Sequence, residues 1–177
     1  DVYKRQVQFL TSGEEASMQL ETGRFRYLFV LQAFTKIYAV PGIRLGYGIS
    51  SDKALLERME TVRQPWSVST PAQAAGLSAL KEDHREEQTR QLVKSERERM
   101  EKELENLRIE YIPSEANFLL FNSEINWFEE LKKRGILIRD CANYRGLGNG
   151  WYRMAVRLPE ENDRLLECMK QVLNERS

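Results

Sequence analysis

Short apolar runs and helical repeats of apolar positions alternate along the chain, which is typical of a protein that mixes strands and helices. Residues 27–31 are apolar and aromatic or branched, which predicts a strand buried on both faces. After the candidate N-cap Ser51-Asp52, apolar side chains recur at helical spacing over residues 54–62. The small residues over 72–80 predict a further helix that can pack closely against a neighbour.

The stretch 81–107 is charged almost throughout and predicts one long, mostly solvated helix. Its thin apolar stripe consists of Leu92, Met100, Leu104 and Leu107. Two other conspicuous side chains receive no chemical role. We interpret Trp66 as part of the core, and His84, the only histidine, as an exposed side chain in this polar stretch.

After the long helix, strands and helices alternate at short intervals. Predicted strands cover residues 109–113, 116–121, 136–139 and 151–157, the third of them buried and paired with the fourth. Predicted helices cover residues 127–134, which Gly135 ends, and 160–173, which has an apolar face. This pattern predicts a small α+β domain that follows the long helix.

Composition narrows the classes of partner. The 177 residues are 41% hydrophobic, enough for a real core, and 27 basic residues balance 27 acidic ones. This balance argues against a nucleic-acid groove or a basic membrane patch, and the sequence has no apolar run near the length of a membrane span. Cys141 and Cys168 form no metal-spaced cluster, which favours free thiols in the cytosol. We therefore expect a small-molecule partner.

Lys36 is the best catalytic candidate, because it lies at the end of the predicted buried strand. An amine at the rim of an apolar sheet is partly desolvated, which lowers its pKa and suits it to condense with an aldehyde. A Pro41-Gly42 turn can bring the Arg44 cation and the Thr35 hydroxyl near the same lysine, as a phosphate-bearing aldehyde requires. On the residues alone, the alternative that these are ordinary solvated charges is stronger.

The segment from Ala33 to Gly48 resembles the pyridoxal-phosphate enzymes of fold type I. Within the class I and II aminotransferases it is similar to the group of histidinol-phosphate aminotransferases and threonine-phosphate decarboxylases. The resemblance implies that Lys36 forms the covalent bond to pyridoxal 5'-phosphate, while Thr35 and Arg44 hold the cofactor phosphate. Many relatives carry Ser or Thr at the position of Ala33, so binding of the cofactor phosphate would depend more on Arg44.

The resemblance also implies an α/β fold and a division of the chain. Residues 1–88 would be the C-terminal piece of the large cofactor-binding domain, and residues 89–177 the linking helix with the small domain. It implies a homodimer with the helix over 72–80 near the subunit interface. Residues 1–6 do not match the family, and other cofactor residues of complete relatives lie upstream of this point. We therefore expect the chain to be truncated.

Arg139 and Arg153 are the candidate substrate residues. Each lies in or at the end of a predicted strand, where the alternative is that both are surface charges. Guanidinium groups bind both oxygens of a carboxylate or phosphate at once. The segments 136–144 and 151–157 resemble the threonine-phosphate decarboxylases, which implies that both arginines bind the acidic groups of the substrate. Asn117 matches a family Asn-Phe pair near the active-site mouth.

Three functions stay open at this point. The first is decarboxylation of threonine phosphate in cobalamin biosynthesis, and the second is transamination of histidinol phosphate or a related amino acid. Both begin with the same cofactor chemistry, and the sequence does not show which bond at the α carbon is broken. The third is that the chain is a non-catalytic, truncated fragment.

Overall fold

The computed structural model describes residues 2–3, 9, 18–82 and 84–176, and the chain divides into two compact units. Unit 1 is Asp1–Arg90 and unit 2 is Gln91–Ser177.

Unit 1 contains a small sheet, with one short helix between its second and third strands and further helices after it. The sheet has the order β1-β2-β3, in which β1 pairs with β2 in parallel and β2 with β3 in antiparallel fashion. Its strands and helices are β1 (Val2–Tyr3), β2 (Phe29–Ala33), α1 (Phe34–Ile37), β3 (Gly46–Ile49), α2 (Lys53–Val62), α3 (Thr70–Ala79) and the start of α4 (Arg85–Asn106). A 3-10 turn at Pro41–Ile43 lies between α1 and β3.

Side-chain caps begin both α2 and α3. Asp52 Oδ1 accepts a hydrogen bond from Leu55 N at 3.1 Å, and Ser69 Oγ accepts one from Ala72 N at 3.3 Å. Such caps satisfy otherwise unpaired amides and stabilise a helix by about 1 kcal/mol each. The sequence predicted the start of α2 from this chemistry, because capping acts only over a few neighbouring residues.

Two burial predictions in unit 1 are wrong. The strand lies two residues later than expected, and Leu31 on it is 41% exposed. No residue of α2 is buried, although its apolar side chains have helical spacing. Trp66 is 96% exposed at a left-handed φ of 57°, so it is not a core residue. Spacing along the chain predicts which side chains share a face. Burial of that face also requires another strand or helix packed over it, and the described part of unit 1 places none over these side chains.

Unit 2 is built on a four-stranded antiparallel sheet with the order β4-β5-β7-β6. Its further elements are β4 (Glu110–Ile112), β5 (Phe118–Asn122), α5 (Trp127–Lys133), β6 (Arg139–Asp140), β7 (Trp151–Ala155) and α6 (Pro159–Asn174). The predicted strand over 136–139 is wrong in extent and burial, since only its last residue is in β6 and Leu137 is 74% exposed. Its predicted pairing with the strand over 151–157 is confirmed. None of the described helices combines the length and apolar character needed to cross a membrane.

The core of unit 2 includes a buried polar network between α4 and α6. Asn162 is 1% exposed, and its Nδ2 donates to Glu96 Oε2 at 2.7 Å. Glu96 also accepts a hydrogen bond from Arg99 Nη2 at 2.7 Å, and this bond holds the pKa of the carboxyl below its ordinary value. Buried polar groups are tolerated when they are paired in this way, so the network fixes the packing of the two helices.

Candidate functional site

The hairpin of β2 and β3 brings Thr35 and Arg44 to the same end of the sheet. Ala33 and Gly46 are opposite each other in the register, and Phe34 N donates to Leu45 O at 3.2 Å. Thr35 and Arg44 are the next residues outward on the two sides of this bond. The main chain therefore turns back between them, and Lys36 follows directly on α1.

Lys36 points away from the packed side of α1. Phe34, Thr35 and Ile37 are buried, whereas Lys36 is exposed. The predicted position at the end of a strand agrees with the structure, but the expected partial desolvation does not hold among the described residues. Lys36 is therefore the one exposed side chain of the four in α1. The lysine amine is accordingly accessible to a ligand.

Thr35 and Arg44 present polar groups that are only partly matched by the protein. Thr35 is 5% exposed, and its Oγ1 has no hydrogen-bond partner among the described residues. Arg44 is exposed at a left-handed φ of 58°, and its Nη1 donates to Pro41 O at 3.2 Å. A buried hydroxyl without a partner is costly, so this group fits an oxygen supplied by a ligand. Hydroxyl and guanidinium groups bind phosphate oxygens, and an amine condenses with an aldehyde, so the three residue types together suit an anionic aldehyde.

In unit 2, Arg139 on β6 and Arg153 on β7 are directly opposite each other in the antiparallel register. Residues opposite each other have side chains on the same face, and like charges in this arrangement destabilise the sheet. Neither guanidinium forms an ion pair with any described residue. Two facing cations without a carboxylate can bind an anion between them.

Each of the two guanidinium groups lies over an aromatic ring. The Arg153 Cζ lies 5.1 Å from the centre of the Phe118 ring, and the Arg139 Cζ lies 5.8 Å from that of Tyr144. Contacts of this kind contribute about 0.5–1 kcal/mol at exposed sites and limit the rotamers of the arginine. Neither contact was predicted from the sequence, since these contacts depend on sheet register and on the loop before β7.

Asn117 pairs with the residue just after β7, the strand that carries Arg153, and Cys141 follows Arg139 by two residues. Asn117 immediately precedes Phe118, and its backbone oxygen accepts a hydrogen bond from Val156 N at 3.0 Å. Cys141 is buried, which raises the pKa of its thiol, while the charges of Arg153 and Arg139 act in the opposite direction. The structure thus groups Arg139, Arg153 and Asn117 in unit 2, whereas Thr35, Lys36 and Arg44 are grouped in unit 1.

Comparison with known proteins identifies close relatives of both units. Residues 7–168 match the family described as aminotransferase class I and II. The chain is 39% identical over 151 residues to threonine-phosphate decarboxylase from Salmonella typhimurium, covering 83% of this chain and 42% of that protein. It is 38% identical over 149 residues to histidinol-phosphate aminotransferase from Symbiobacterium thermophilum, covering 82% of this chain and 40% of that protein.

The likeness extends to three dimensions. The crystal structure of the histidinol-phosphate aminotransferase from Clostridium acetobutylicum superposes with a TM-score of 0.90 at 30% identity, covering 97% of this chain and 53% of that one. The predicted α/β fold of this family is confirmed. The chain spans about two fifths of the length of the curated relatives it matches. Because the sequence match extends across both units and the fold is shared, the chain belongs to the aminotransferase class I and II family.

Proposed function

We propose that this chain carries the lysine-bearing and substrate-binding parts of a pyridoxal-phosphate enzyme that decarboxylates threonine phosphate. The observation that carries the proposal is the β2–β3 hairpin. There the exposed Lys36 directly follows Thr35, whose buried hydroxyl has no hydrogen-bond partner among the described residues, and Arg44 lies on the opposite side of the hairpin. The family supports the cofactor, and the likeness to the Salmonella decarboxylase supports the substrate. We place the enzyme in the cytoplasm as a homodimer.

The three residues of the hairpin fit the chemical groups of pyridoxal 5'-phosphate. Thr35 Oγ1 needs a partner, and Arg44 carries a permanent charge suited to a phosphate. Lys36 supplies the amine that binds the aldehyde and, once free, can deliver a proton to the α carbon of the substrate. When bound, the cofactor supplies an electron sink for the negative charge that develops at that carbon.

Arg139 and Arg153 are proposed to bind the acidic groups of the substrate, with Asn117 beside them. Their two positive charges face each other and have no carboxylate partner among the described residues, which supports binding of an anion between or above them. In the proposed reaction the carboxyl group leaves as carbon dioxide and its bonding electrons stay on the α carbon. That carbon then takes up one proton, which gives an amino-alcohol phosphate.

The second candidate is transamination of histidinol phosphate. It is favoured by the relative from Symbiobacterium and by the superposed structure from Clostridium, both named for that activity. The hairpin and the arginine pair suit either substrate, since each carries a phosphate. A non-catalytic role is the third candidate.

Product analysis on the full-length enzyme separates these candidates. Incubation with threonine phosphate is expected to release carbon dioxide and an amino-alcohol phosphate in equal amounts, without consuming an oxo acid. Consumption of an oxo-acid acceptor together with histidinol phosphate would favour the aminotransferase. Absence of both reactions in a protein that contains bound cofactor would contradict either assignment.

Replacing Arg139 or Arg153 with Gln should weaken substrate binding more than cofactor binding. A charge-assisted hydrogen bond is worth about 1.5–3 kcal/mol, so the KM for the phosphorylated substrate should rise roughly tenfold to a hundredfold. The visible spectrum of the bound cofactor should stay unchanged. Steady-state kinetics with spectral titration of both variants measures the two effects separately.

Arg157→Gln is the matched control, since Arg157 lies just beyond β7 and its Nη2 is paired with Glu161 Oε1 at 2.8 Å. It should leave the KM within about twofold, because exposed ion pairs of this kind contribute little. If the Arg139 and Arg153 variants behaved like this control, the two arginines would be ordinary surface charges.

A further inference from the structure

The helical turn that carries Lys36 has little to hold it in place locally. Helix α1 has four residues, and its N-cap, Ala33, makes no side-chain capping bond. Isolated helices of this length are unstable, because one turn fixes many dihedral angles for few hydrogen bonds. After the turn, Ala39 adopts a left-handed φ of 54°, which is unfavourable for a residue with a Cβ. Contacts outside the turn must therefore fix its conformation.

Tyr38 supplies such a contact through its hydroxyl. The Tyr38 OH donates to Glu86 Oε1 at 2.7 Å, across 48 residues of the chain. Glu86 lies in the first turn of α4, and its other oxygen, Oε2, accepts a hydrogen bond from Arg90 Nη2 at 3.0 Å. Both oxygens of the carboxylate are thus engaged, so Glu86 is a fixed acceptor rather than a mobile surface charge.

The Tyr38 ring is also packed on its face. Phe34 stacks on it with ring centroids 5.2 Å apart and an angle of 24° between the planes, and Phe34 in turn contacts Tyr47. Burial and the bond to Glu86 both raise the pKa of the Tyr38 hydroxyl, which therefore stays protonated as the donor. Lys36 lies between these two stacked rings in the sequence, so fixing the rings fixes its backbone.

We propose that Tyr38 and Glu86 are positioning residues for Lys36, holding the exposed amine at a fixed place on α1. Neither side chain is assigned a contact with cofactor or substrate. The inference rests on the proposed function of Lys36 and adds to it two residues that position the lysine. Loss of the hydrogen bond between Tyr38 and Glu86 is expected to loosen the turn α1 without unfolding unit 1.

The test uses Tyr38→Phe, Glu86→Ala and the double variant in the full-length holoenzyme. Each single change should lower kcat about tenfold while the KM for substrate changes less than twofold. The pH midpoint of the cofactor absorbance should shift in the same variants. The double variant should be no worse than the worse single one, because both remove the same bond. Glu86→Gln keeps an acceptor oxygen and should restore most of kcat.

A readout independent of the cofactor is amide hydrogen exchange of the peptide 34–40, which should quicken about tenfold in Tyr38→Phe. Tyr111→Phe is the matched control, since Tyr111 OH donates to Glu105 Oε1 at the same distance of 2.7 Å in unit 2. It should change neither the exchange of this peptide nor the spectrum. Additive losses of kcat in the double variant would overturn the inference about Tyr38 and Glu86 but not the proposed function. Variants whose hydrogen exchange and cofactor spectrum match those of the wild type would do the same. Failure of the wild type to form a reducible bond between Lys36 and the cofactor would overturn the proposed function as well.

Discussion

Replacing Lys36 with alanine in the full-length enzyme is expected to lower turnover by about 10⁴-fold or more. In the proposed function the change removes the amine that would bind the aldehyde and, with it, the group that would move the proton at the α carbon. The exposed lysine sits on a turn whose other three side chains are buried, so its loss should leave the fold intact. Steady-state turnover and the visible absorbance of the purified protein measure the effect.

Lys53→Ala is the matched control for this experiment. Lys53 is also exposed in unit 1 and begins α2, but it lies outside the β2–β3 hairpin. The Lys53→Ala variant should keep full turnover and the full visible absorbance of the bound cofactor. An active Lys36→Ala variant would contradict the assignment of pyridoxal phosphate to this chain.

Replacing Asn162 with alanine is expected to destabilise unit 2 by about 3 kcal/mol. The amide oxygen accepts from Arg157 N at 3.0 Å, and the amide nitrogen donates to Arg157 O at 2.9 Å and to Glu96 Oε2 at 2.7 Å. Its removal leaves two backbone groups and a buried carboxylate without these partners. Denaturant unfolding followed by circular dichroism measures the free energy.

Asp163→Ala tests the same helix at an exposed position. Asp163 pairs with Arg99 Nη1 at 2.6 Å, but its side chain is 63% exposed. Water replaces such a contact, and the expected loss is under about 1 kcal/mol. Equal losses in the two variants would show that the buried network contributes no more than a surface ion pair.

Local chemistry made parts of the fold predictable. The caps of α2, the long helix and the closing helix follow from side chains within a few residues of each other. The burial of Leu31 and Trp66 was predicted wrongly, because burial depends on layers that spacing along the chain does not specify. An amphipathic pattern shows that a face is apolar but not what covers it.

The site was predictable to a similar extent. The position of Lys36 at a strand end followed from the apolar run before it, and the Pro41-Gly42 turn indicated that the chain folds back. The bond from Tyr38 to Glu86 joins residues far apart in sequence, and the pairing of Arg139 with Arg153 depends on strand register. Neither contact leaves a periodic signal.

The central claim is that Lys36 binds the cofactor covalently, and reduction with borohydride followed by peptide mapping tests it most directly. The full-length enzyme is reduced, digested and analysed by mass spectrometry for a peptide that carries the cofactor. A single modified peptide is expected, with the added mass on Lys36. A modified peptide that carries the cofactor on a different lysine, or an unmodified Lys36 in a reduced, active enzyme, would contradict it.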